Sequence, residues 1–146
     1  MTFLRTPALL AARIALGFIF IMHGWQKFHN GHGAVVEGFK QMNVPAPEFS
    51  AFFATWVELI GGVALILGVL LPLVGLLLAI DMIGALITVH GQHGFWMDNH
   101  GYEYVLALAA GALAVGFANS GVVSIDHYLF RRTRRGGSVV VEDAAA

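Results

Sequence analysis

The chain has no cysteine anywhere in its 146 residues. Structural disulfides, dithiol exchange, thiolate metal sites and iron–sulfur clusters held by its own side chains are therefore excluded. Any redox role must run through another group or another subunit. Charge is nearly as scarce: Asp, Glu, Lys and Arg together make up 12% of the residues, where a soluble domain spends about a quarter. A formal net charge of -1 gives neither the strongly basic surface that nucleic acid requires nor a reason to expect an acidic partner. Room is limited as well. About four membrane crossings of roughly 20 residues, with short connections, use almost the whole length, so no separate catalytic domain fits.

What fills the chain instead is apolar: hydrophobic types reach 58% and mean hydropathy is +0.74. The expected fold class is all-α, an integral membrane four-helix bundle in a lipid bilayer. Arg5 ahead of an apolar run over residues 8–22 has the outline of a secretory signal. That run continues toward Phe28 without a cleavage site, and the rest of the chain is equally apolar, so it reads as a retained first span.

The membrane domain is expected over residues 1–135, with spans at about 7–28, 49–71, 73–92 and 102–118. Pro7 suits the first turn of a helix, where its missing N–H costs nothing. Pro72 interrupts an apolar stretch too long for one crossing and predicts a tight hairpin. Residues 29–48 read as a loop holding a short interfacial helix at about 35–41, and residues 91–101 as a wet loop. An interfacial segment is expected at 124–132, opened by Ser124 as a cap, and a disordered tail at 136–146. Arg131, Arg132, Arg134 and Arg135 follow the last span, which predicts a cytoplasmic C-terminus in the plasma membrane. Four crossings then put the N-terminus on the same side, in agreement with Arg5, whereas Lys27 and Lys40 in the first outer loop dissent.

Four ionisable residues fall within or at the ends of apolar spans: Arg13, Glu58, Asp81 and Glu103. A charge at the centre of a span costs roughly 2.5 to 3.5 kcal/mol on insertion scales, so each is expected to face the bundle interior, a partner or water. At about 1.5 Å per residue the depths of Arg13 and Asp81 match, as do those of Glu58 and His23, which predicts these two pairings. A wheel at 100° per residue aligns Arg13, Gly17, Gly24 and Lys27 in one stripe whose glycines permit close helix approach. It also aligns Glu58 with Gly62 and Leu65, Glu103 with Ala107, Ala110 and Ala114, and Asp81 with Ala85, Thr88 and Gln92, leaving His90 opposite Asp81. Glu58, Asp81, Arg13 and Glu103 are thus the candidate catalytic side chains, with His23 and Lys27 as candidate cofactor-binding ones. Burial favours the neutral form of a carboxyl group, which suits proton exchange. The same charges could equally be internal ion pairs that fix helix register, and both readings stand at this point.

Six of the seven histidines lie on the outer half: His23, His29, His32, His90, His93 and His100. The spacings of His29 with His32 and His90 with His93, near Asp98, suit metal ligation only weakly without cysteine. No metal ligand is assigned, and metal or haem is not the expected cofactor. Trp25, Trp56 and Trp96 fit an interfacial aromatic belt.

Several pieces in order resemble the DoxX family of small four-helix membrane proteins. They are Arg13 in span one, Gly24 with Lys27 at its end, the loop at 43–47, the stretch at 58–62 that begins with Glu58, Leu67-Gly68, Met82, Glu103 opening span four, and Ser124-Ile125-Asp126 after it. Leu73 after Pro72 departs from the basic residue usual there. The resemblance implies a subunit of a membrane oxidoreductase complex that handles quinone, quinol or protons together with other protein subunits. Its members are described in quinol oxidase and thiosulfate:quinone oxidoreductase systems. The alternative is a non-enzymatic transport or scaffold protein whose buried charges are structural.

Overall fold

A computed structural model describes residues 2–118 and Ile125, with side chains from Thr6 onward. Within those residues there is no strand. Hydrocarbon offers no partner for a free N–H or C=O, so an apolar chain closes its own hydrogen bonds as helix. The helices are α1 (Thr2–Asn30), α2 (His32–Gln41), α3 (Pro47–Leu67), α4 (Leu71–Ala85) and α5 (Glu103–Phe117). Beyond α4 the backbone continues as a π turn (Leu86–His90) and a 3-10 turn (Gly91–His93), and a second 3-10 turn (Met97–Asn99) precedes α5. Three stretches are long and apolar enough to cross a membrane: Thr6–Asn30, Pro47–Leu67 and Leu71–His93. The fourth bundle helix, α5, has 15 residues, about 22 Å of rise. The expected segment 124–132, apart from Ile125, and the tail 136–146 lie outside the described residues, as do the four C-terminal arginines.

The hairpin turn falls at residues 68–70, ahead of Pro72 rather than on it. Gly68 takes the left-handed conformation (φ 72°, ψ 46°) that ends α3, a geometry with no steric cost only for glycine. The Gly68 N–H donates to Leu65 and the Val69 N–H to Ala64, closing the last turn. Pro72 then sits in the first turn of α4, where no N–H is needed.

The bundle is assembled as two tight pairs, α1 on α3 and α4 on α5, with a thinner seam between them. Glycines set the first pair: a Cβ on Gly17 would lie 2.6 Å from the Gly62 carbonyl oxygen, and one on Gly24 would lie 2.5 Å from the Leu59 nitrogen. In the second pair a Cβ on Gly75 would meet the Ala112 carbonyl oxygen at 2.6 Å. Such small-residue contacts let backbones approach where lipid supplies no hydrophobic drive for helix association. Phe20, Leu65, Leu71 and Leu78 are fully buried at the centre. Large apolar side chains such as Phe18, Ile60, Leu73 and Phe117 point outward, the surface that acyl chains cover. Across the seam α3 and α4 touch where Gly61 meets Leu78. Toward the end that carries α2, a cavity separates them.

Candidate functional site

The cavity has a volume of about 760 Å³. Its walls are mostly apolar, with Phe20, Phe53, Met82 and Leu108 among them, and its ionisable lining comprises Lys27, Glu58, Asp81, His23, His90 and Tyr104. The α1 stripe faces the α3 stripe, so Lys27 reaches Glu58: Nζ donates to Oε2 at 2.5 Å, and the Glu58 side chain is only 4% exposed. Asp81, from α4, comes within electrostatic reach of both Glu58 and Lys27. Its Oδ2 is buried without a hydrogen-bond partner among the described residues, and buried polar atoms in folded proteins are normally satisfied. The Tyr104 ring lies 6.1 Å from that of His23, and its phenol feels the charge of Glu58.

Four of the six expected site residues thus line one cavity: His23, Lys27, Glu58 and Asp81. The pairings among them differ from those expected. Glu58 takes Lys27 rather than His23, because α1 and α3 are direct neighbours and their stripes bring those two side chains together. Asp81 faces the Lys27–Glu58 pair and not Arg13.

Arg13 lies below the cavity. Its Nε donates to the Leu65 carbonyl at 2.8 Å and its Nη2 to the Ile66 carbonyl at 2.7 Å. Those oxygens belong to the last turn of α3, whose carbonyls lack the regular i+4 helical donors and carry the negative end of the helix dipole; the Leu65 oxygen also accepts the Gly68 N–H. Arg13 is therefore a helix cap across the interface, and Arg13→Gln should lower the thermal midpoint in detergent. A hydrogen bond to a charged donor is worth about 1.5–3 kcal/mol. Ligand binding per folded molecule should stay intact; an unchanged midpoint would mean the carbonyls find other donors.

Glu103 is not in the cavity either. Its carboxylate accepts the Met97 N–H at 2.8 Å and ties the preceding loop to the start of α5. Ala107, Ala110 and Ala114 below it face outward, whereas Val105, Leu108, Ala109 and Ala112 form the buried face.

His90 lines the cavity together with Asp81, against the α-helical wheel. A turn closed from residue i to i+5 holds more residues than an α turn, so everything beyond Leu86 is rotated relative to that wheel. The Gly91 N–H closes this turn onto the Leu86 carbonyl, where a Cβ on Gly91 would sit 2.9 Å from the same oxygen. Gly91 was the one sequence signal of the irregularity. Tyr104 was missed because it is uncharged and adjacent to Glu103. His90 Nδ1 lies 2.7 Å from the His100 carbonyl oxygen, and among the described residues no three His, Asp or Glu side chains converge as a metal site would require.

Chemically the cavity offers an oily slot ending in one ammonium and two carboxyl groups. A proton on the carboxyl pair brings that cluster to neutrality. It can hold a flat apolar molecule by its walls and exchange protons with that molecule's polar end.

The sequence profile of the DoxX family matches residues 8–91. The chain is similar to the Bacillus subtilis (strain 168) protein named "Putative oxidoreductase CatD", with 34% identity over 127 residues, 87% of this chain and 90% of that one. It is also similar to the uncharacterised membrane protein Rv3486 of Mycobacterium tuberculosis (strain ATCC 25618 / H37Rv), at 27% identity over 90% of this chain and 87% of the relative. No solved structure matches it.

Proposed function

Since this chain belongs to the DoxX family of membrane proteins, we propose that it is the quinone- or quinol-handling subunit of a membrane oxidoreductase complex. In that role Glu58 and Asp81 exchange protons with the bound ring. The observation that carries this reading is the Lys27–Glu58–Asp81 cluster, set in a cavity whose walls are mostly apolar. Ligand sites for small molecules run to roughly 300–1,000 Å³ with apolar walls and a few polar groups, and this cavity lies in that range.

Reduction of a quinone to its quinol takes two electrons and two protons. The electrons come from a partner subunit's redox group; the protons pass through the carboxyl pair to the ring oxygens. Lys27 holds Glu58 in place, and the walls exclude water from the ring. His23 and Tyr104 border the same space and can donate to a ring oxygen. The cavity end of the bundle faces away from the cytoplasm of the plasma membrane, following the C-terminal arginines. The bonds of Arg13 to backbone carbonyls favour the structural alternative for that one charge alone.

Glu58→Gln keeps the side chain's shape but removes its exchangeable proton. Quinone-linked electron transfer in membranes should fall at least about tenfold, since positioned acid–base groups contribute that much or more. Transfer is scored per inserted molecule, since Glu58→Gln also breaks the bridge to Lys27. Full transfer by the variant would end this role for Glu58.

A further inference from the structure

We infer that the cavity is entered from the lipid phase, through the cleft between α3 and α4, and that its ligand is a neutral ring whose apolar tail stays in that cleft. This rests on the quinone reading above and adds the route and the tail.

The cleft starts where the Gly61–Leu78 contact ends. Beyond it α4 presents Ile80 and Gly84, one turn apart, which line the cavity and are both exposed. On the α3 side the lining reaches Phe49, 67% exposed, near the interface end of that helix. Nothing lies within 4 Å of where a Cβ on Gly84 would be, so the space beside this residue is open.

Depth decides which solvent fills it. Ile80 and Gly84 stand nine and thirteen residues after Leu71 in the span Leu71–His93, roughly 14 and 20 Å along a rise of about 35 Å. An opening at that level faces acyl chains, whose layer is about 30 Å thick. The end nearer the interface is bordered by Phe39, Met42 and Val44, with Ser50 and His90 beside them. The polar cluster then selects the head group. One ammonium is already paired with Glu58, and Asp81 adds a second carboxyl with an unpartnered oxygen. Such a cluster repels phosphate or carboxylate heads and accepts a neutral group bearing hydroxyl or carbonyl.

The absence of native cysteine makes Gly84→Cys the sole thiol in the full-length chain. A nitroxide attached there in proteoliposomes should collide with oxygen more often than with a water-soluble nickel chelate, and decyl-substituted benzoquinone should reduce the oxygen collisions. Dominant nickel collisions would overturn entry from lipid. In a second arm, Gly84→Leu should weaken calorimetric binding of the decyl-substituted quinone about tenfold, leaving unsubstituted benzoquinone unaffected. Equal loss for both, or loss for neither, would refute passage of a tail through the cleft. If the unmodified chain binds neither probe while the nitroxide is oxygen-accessible, the quinone reading falls, and the tailed ring with it, whereas the cleft's exposure to lipid stands.

Discussion

Gly62→Leu should leave little monodisperse protein after extraction, and even Gly62→Ala should lower the thermal midpoint. A Cβ at this position would stand 2.6 Å from the Gly17 carbonyl oxygen and 2.9 Å from the Ile21 nitrogen. Both are backbone atoms of α1 and cannot swing aside. The two helices must separate, which disturbs the Lys27–Glu58 bridge and the Arg13 cap on the same interface. Overpacking a core costs typically 1–3 kcal/mol, and a clash confined to backbone belongs at the upper end, about 3 kcal/mol. Gly38→Ala is the control: a Cβ there meets nothing within 4 Å, so midpoint and size-exclusion profile should match the parent. A Gly62→Leu profile equal to that of Gly38→Ala would disprove the close approach.

Lys27→Met should destabilise the chain by about 3–5 kcal/mol, the cost of leaving one member of a buried ion pair alone. Glu58 is 3% exposed, and its carboxylate has no ammonium other than Lys27 beside it among the described residues. Adding Glu58→Gln to Lys27→Met removes the stranded charge, so the double variant should recover most of the lost stability while remaining inactive in quinone-linked transfer. Thermal unfolding of the four members of this cycle measures the coupling directly. Additive losses would show that Lys27 and Glu58 do not depend on each other. Recovery of stability without recovery of transfer separates the cluster's contribution to folding from its chemistry.

The bundle and its family were legible because apolar length and a handful of spaced residues encode them locally. The stripe of Gly17, Gly24 and Lys27 predicted a close helix contact, and the structure places α3 against it. Partners were harder to read. Depth along a span gives a level in the membrane but not which helix is next door, so Glu58 was matched with His23 at a similar height instead of with Lys27. Arg13 has backbone acceptors at the end of a helix, which no pairing of charged side chains includes. Uniform α periodicity puts His90 opposite Asp81, and the π turn at Leu86–His90 brings it to the cavity instead. The cavity itself, made by α3 and α4 parting beyond Gly61, depends on packing between segments distant in the chain, and no local pattern announces it.

The division of the bundle into two glycine-welded pairs has a mechanical consequence. Each pair resists shear, because backbone rests on backbone at Gly17–Gly62 and at Gly75–Gly116. The interface between pairs is looser, and they are joined in sequence by the short link at 68–70. Relative displacement of the two pairs therefore costs least at that interface, with the link placed as the spring of a peg is to its jaws. A given rotation about the link would displace the far end most, so it would alter the bore of the slot before it strained any glycine weld.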